Sequence, residues 1–121
     1  MNLLLIEDEA DVADVLALAF REDGHEAVIA YTGEEGLTRL RQNRPDAVLL
    51  DIRLPKMNGI EVLRAIRSMD QTLPVIILTG LATPAEIAEA RELGVTDIIE
   101  KSDVLKHFSE SLARVVKINP T

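Results

Sequence analysis

The chain has 121 residues, the size of one domain, and 47% of them are hydrophobic, enough for one sizeable core. A net charge of −8 argues against a nucleic-acid or anionic-membrane surface, and the absence of cysteine excludes disulfides and thiolate metal sites. No basic start precedes a long apolar run, so neither a signal peptide nor a membrane span is expected, and the expected location is cytoplasmic. Aromatic residues are few (Phe20, Tyr31 and Phe108), so the core must be aliphatic.

The first apolar run, residues 3–6, has strand length and ends on three acids, Glu7, Asp8 and Glu9. A helical pattern follows over 10–23, with Val12, Val15, Leu16, Ala19 and Phe20 at the spacing of one helix face. Glu9 and Asp11 suit the start of that helix. Residues 25–31 read as a second strand and 33–43 as a second helix, with Leu37 and Leu40 three apart. The third strand, 47–50, runs directly into Asp51. Pro55 and Gly59 then impose a defined loop before a helix over 59–69, whose apolar positions are Ile60, Leu63 and Ile66. The fourth strand, 75–78, ends at Thr79 and Gly80. A fourth helix begins at Thr83-Pro84 and stops at Gly94. A weak fifth strand at Ile98-Ile99 leads to Glu100 and Lys101. A fifth helix is expected over 102–116, with Ser102 and Asp103 as its capping residues. Residues 117–121 read as a tail.

Strands that are continuously apolar are buried on both faces, and strict βα alternation implies a parallel sheet between two helical layers. Right-handed crossovers make the fold a doubly wound (βα)5, flavodoxin-like three-layer sandwich of order 2-1-3-4-5. The whole of 1–121 is expected to form a single domain.

In such a sheet all C-terminal strand ends share one edge, where ligands bind. That edge gathers Glu7, Asp8, Asp51, Thr79 and Lys101. Converging carboxylates repel unless a hard cation such as Mg²⁺ sits among them, and Asp8 with Asp51 is the expected ligand pair. The competing role for such acids is helix capping. An aspartate can also act as a nucleophile toward phosphorus, which suits Asp51 at the end of a buried strand. A hydroxyl at Thr79 and an ammonium at Lys101 would neutralise phosphoryl oxygens.

These residues, in this order, resemble the receiver domain of two-component response regulators. The shared pattern is the acid pair Glu7-Asp8, then Asp51 with Pro55 and Gly59 in "DIRLPKMNG", then Thr79-Gly80, then Lys101. The resemblance implies that Asp51 accepts a phosphoryl group from a sensor histidine kinase or phosphotransfer protein. It implies Mg²⁺ held by Asp8, Asp51 and the Arg53 backbone carbonyl, with Glu7 acting through water. It assigns Lys101 and Thr79 to phosphoryl oxygens, and it implies self-catalysed phosphorylation and hydrolysis that switch a surface for an effector domain or output protein. No direct nucleic-acid or membrane partner is expected of this domain.

Two positions depart from the family. Ile98 replaces the usual aromatic, so output coupling should be weaker or use another element, such as the loop after Thr79. Ser102 replaces the usual proline, so the Lys101–Ser102 bond should be trans. The Arg53 side chain is expected to border the site and affect access of donor or water. His25 and His107 fall away from the active edge and are expected to be structural. The alternatives are a degenerate receiver acting as an interaction module, an aspartyl-phosphate phosphatase and a flavin carrier. The triplet "DIR" lacks the second acid of such phosphatases, and "EDEADV" would repel a flavin phosphate.

Overall fold

The computed structural model describes residues 1–104 and 110. Five parallel strands form one sheet in the order β2-β1-β3-β4-β5. They are β1 (Asn2–Ile6), β2 (Glu26–Ala30), β3 (Ala47–Asp51), β4 (Val75–Thr79) and β5 (Asp97–Glu100). Between them run α1 (Ala10–Glu22), α2 (Gly33–Gln42), α3 (Gly59–Met69) and α4 (Pro84–Glu92). A 3-10 turn at Lys101–Asp103 follows β5. Most of the fifth helix expected over 102–116, together with His107 and the tail 117–121, lies outside the described residues.

The sheet follows the expected doubly wound order. β3 and β4 are buried at every position, whereas the edge strands β2 and β5 are partly exposed. Alternation sends Leu3, Leu5, Leu49, Ile76 and Leu78 to one face, against Leu16 and Phe20 of α1. It sends Leu4, Ile6, Val48, Leu50, Val75 and Ile77 to the other, against α2, α3 and α4. Each fully buried Leu or Ile side chain stabilises the fold by about 1.5–3 kcal/mol. Val104 packs with the α1 layer, so the chain after β5 begins on that face.

The buried stripe of α1 differs from the one its large side chains suggest. Ala13, Leu16, Ala17 and Phe20 are buried, whereas Val15 is 57% exposed. Leu18 is exposed as well. Two alanines on the inner stripe let the helix lie close to the sheet, which rotates Val15 outward. The fourth helix starts at the expected Thr83-Pro84, and the structure adds a reciprocal capping box between Thr83 and Glu86. Gly94, at φ 74°, turns the chain beyond α4.

Candidate functional site

Glu7 follows β1 and donates its N–H to the Ala30 carbonyl, which places it between β1 and β2. Its side chain is wholly buried, and its Oε2 accepts the Glu9 N–H at 3.2 Å. Asp51 ends β3 and is likewise buried. Ile52 continues the ladder by donating to the Leu78 carbonyl. The loop then folds back on this end of the strand. Lys56 takes a left-handed turn at φ 65°, Asn58 caps α3, and the Gly59 N–H bonds the Ile52 carbonyl at 2.8 Å. A Cβ on Gly59 would collide with the Asp51 carbonyl and lie 2.6 Å from Ile52 Cα. Only glycine allows α3 to start this close to the strand that carries Asp51.

Oxygens of Glu7, Asp8 and Asp51 all lie within 4.8 Å of one another. Lys101, delivered by the turn after β5, places its Nζ 2.7 Å from Glu7 Oε1 and 3.0 Å from Asp51 Oδ2. Glu9 reaches the same ammonium only at 3.8 Å. The Arg53 N–H donates to Asp51 Oδ1 at 3.0 Å. The centre is therefore a cluster of acids bridged by one cation. Glu7 Oε1 has the charge contact with Lys101 but no aligned hydrogen bond.

Burial pushes the Glu7 carboxyl up to about 7, partly opposed by the Lys101 ammonium and reinforced by the Asp51 charge. Burial would lower the Lys101 pKa, but its close contacts with the Glu7 and Asp51 carboxylates outweigh it and the net direction is upward. Thr79 ends β4 beside β3 and is buried, with no partner for its Oγ1. A buried hydroxyl without a partner is costly, and an arriving oxygen acceptor relieves it.

The donor set fits a hard divalent cation. All its atoms are oxygens, two of the three carboxylates are buried, and one ammonium does not balance three acids. Sequence spacing thus located Glu7, Asp8, Asp51, Thr79 and Lys101 on one edge, and the structure brings four of them into direct contact or ligand range. Glu7, which the resemblance assigns to the cation through water, is fully buried and makes the shorter contact with Lys101. No periodicity could show that, because it depends on where the turn after β5 delivers Lys101.

The Arg53 side chain is expected to border the site, but nothing in the sequence indicates its partners. It turns across to the β4–α4 loop, donating from Nε to the Leu81 carbonyl at 3.0 Å and by both terminal nitrogens to Glu86 at 2.9 and 2.7 Å. Ile98 is half-buried against the α2–α4 layer. The Lys101–Ser102 bond is trans, since no described peptide bond is cis. Ser102 lies inside the 3-10 turn, and the residue its hydroxyl would cap falls outside the described residues. His25 is half-buried and sits 3.1 Å from the N-terminal amine, away from the acidic edge. No helix among the described residues is long and apolar enough to cross a membrane.

Comparison with known proteins agrees with this geometry. The chain is 41% identical to the transcriptional regulatory protein AfsQ1 of Streptomyces coelicolor, over 83% of this chain and 44% of that protein. It is 35% identical to the transcriptional regulatory protein PrrA of Mycobacterium tuberculosis, over 94% of this chain and 48% of that protein. The chain thus spans about half the length of the curated relatives it matches. The fold superposes on a response regulator receiver domain from Clostridium thermocellum with a TM-score of 0.91 and 26% identity, covering 98% and 95% of the two chains. A CheY-like receiver domain from Methanospirillum hungatei gives 0.86 at 26% identity, covering 96% of each. The family model "Response regulator receiver domain" matches residues 3–112, and the chain belongs to that family.

Proposed function

We propose that this domain is a phosphorylation switch that takes a phosphoryl group on Asp51 from a sensor histidine kinase or phosphotransfer protein. The observation that carries the reading is the convergence of Glu7, Asp8 and Asp51 with the Lys101 ammonium at 3.0 Å from the acceptor carboxylate. Asp8, Asp51 and the Arg53 carbonyl would hold Mg²⁺, with Glu7 contributing through water. The ion, when bound, neutralises charge on the transferring phosphoryl oxygens.

The protein's own groups do the rest. An Asp51 oxygen attacks phosphorus and the P–N bond of a phosphohistidine donor breaks. The electron pair passes to the imidazole nitrogen, which takes up a proton. Lys101 is already at the acceptor and stabilises the added negative charge. The Thr79 hydroxyl, unpartnered in this state, gains an acceptor in the phosphoryl group. Hydrolysis reverses the modification: water attacks phosphorus, the bond to Asp51 breaks, and phosphate leaves. The acid cluster and Lys101 are built for this self-catalysed chemistry and not for turnover of a separate substrate.

Residues 1–121 act as one receiver in the cytoplasm, and its output passes to an effector domain or an output protein. With Ile98 in the place of the usual aromatic, that output is weaker or uses another element, such as the loop after Thr79. Incubation with acetyl phosphate and Mg²⁺ tests the reading. We expect an acid-stable, base-labile adduct that is lost with chelator and in Asp51→Asn. Absence of the adduct, or its survival in Asp51→Asn, contradicts the assignment and favours a pure interaction module.

A further inference from the structure

We propose that Arg53 is a positioning residue that latches the β4–α4 loop to the phosphorylation loop and thereby opposes switching. The inference rests on the receiver reading above and extends it. Arg53 is in contact with both ends of the switch. Its backbone N–H binds Asp51 Oδ1 at 3.0 Å, and its guanidinium grips the Leu81 carbonyl and both carboxylate oxygens of Glu86. Leu81 lies two residues beyond Thr79, and Glu86 lies in the first turn of α4, tied by the capping box to Thr83. Arg53 therefore links three parts of the chain: the loop after β3, the loop after β4, and the start of α4.

The geometry is that of a paired fork. Two parallel N–H···O bonds at 2.9 and 2.7 Å hold the guanidinium plane, so lysine could not replace it. The Glu86 carboxyl sits below its usual range, chiefly because it accepts the Thr83 N–H, with the Arg53 charge adding to the effect. Ala82 packs against the core and the capping box holds Thr83, but the stretch between Thr79 and Ala82 is open. Gly80 has nothing within 4 Å of a notional Cβ, and Leu81 is 80% exposed. On the receiver reading, Thr79 moves onto a phosphoryl oxygen, and a segment tied down at the Leu81 carbonyl, two residues on, resists that movement. The latch holds that segment through the Leu81 carbonyl. It stabilises the unphosphorylated arrangement and sets how easily Asp51 and α4 communicate.

A double-mutant cycle tests this. Glu86→Gln keeps an oxygen for the Thr83 N–H while removing the charge, and Arg53→Met removes the guanidinium while keeping an apolar stem. Two quantities are read for each protein: hydrogen exchange of the 80–87 amides without ligand, and affinity for beryllofluoride, a phosphoryl mimic, in the presence of Mg²⁺. We expect each single variant to speed loop exchange and to tighten beryllofluoride binding by about two- to five-fold, the scale of a partly exposed bidentate pair. The double variant should do no more than Arg53→Met alone. Unchanged affinity in the singles, weaker affinity, or additive effects in the double overturn the latch while leaving the receiver assignment intact. Failure of the wild-type protein to bind beryllofluoride with Mg²⁺ contradicts the receiver reading itself and the latch with it.

Discussion

Replacing Gly59 by alanine puts a methyl carbon against the backbone that carries Asp51. The new Cβ would overlap the Asp51 carbonyl oxygen, and it would lie 2.6 Å from Ile52 Cα and 3.0 Å from the Asp51 carbonyl carbon. Carbon atoms in contact sit about 3.5–4.0 Å apart, so the shortfall is near 1 Å, and every atom in the way is backbone. The start of α3 must therefore retreat, and the Gly59 N–H bond to the Ile52 carbonyl at 2.8 Å lengthens or breaks. Overpacking of this kind costs about 1–3 kcal/mol, and the lost hydrogen bond about 1 kcal/mol more. Alanine's better helix propensity returns at most about 1 kcal/mol, and less at the first residue of a helix. The expected net loss is about 3 kcal/mol, read as a lower urea midpoint at unchanged m-value. Gly80→Ala is the matched control. It has open space around a Cβ and should stay within about 0.5 kcal/mol of wild type. Equal midpoints for Gly59→Ala and wild type, or an equal loss from Gly80→Ala, would refute the packing argument.

Arg67 donates to four backbone carbonyls, those of Leu93, Asp70, Leu73 and Gly94, at the edge of the sheet opposite the acidic site. Arg67→Met should leave these acceptors short of donors and lower stability by about 2–3 kcal/mol in urea unfolding, with the folded sheet retained by circular dichroism. Asp70 is held at about 2, chiefly by the hydrogen bond from Arg44 at 2.6 Å. Its folded pKa lies below the unfolded value of 3.8, so its contribution is present above pH 3.8 and is lost as pH falls through 2. The pair is partly exposed, and screening reduces the effect to about 1 kcal/mol. Stability measured against pH should show Asp70→Asn below wild type at pH 5 and converging with it near pH 2. A constant gap across that range would contradict the charge argument.

The fold was legible because its strands are short, continuously apolar and separated by helices with clear periods. Runs such as Val48-Leu49-Leu50 and Ile76-Ile77-Leu78 suit a central parallel sheet and little else. The site was legible because the fold sends every strand end to one edge, so residues 7, 8, 51, 79 and 101 could be collected without knowing any distance. What stayed hidden depends on close packing or on partners far apart in the chain. The buried stripe of α1 runs through Ala13 and Ala17, and a search for large apolar side chains favours Val15 instead. The burial of Glu7 follows from its position between neighbouring strands. Arg53 and Glu86 are 33 residues apart, and nothing local marks them as a pair. Arg67 looks like an ordinary surface residue of an amphipathic helix until the loops around it are placed.

The central claim is that Asp51 is the residue that carries the phosphoryl group. Borohydride trapping tests it most directly, because hydride reduces an aspartyl phosphate to homoserine and leaves an ordinary aspartate untouched. After incubation with acetyl phosphate and Mg²⁺, peptide mapping by mass spectrometry should find homoserine at position 51 and nowhere else. Homoserine at Asp8 or another acid, or none in a protein that remains folded, would contradict the account.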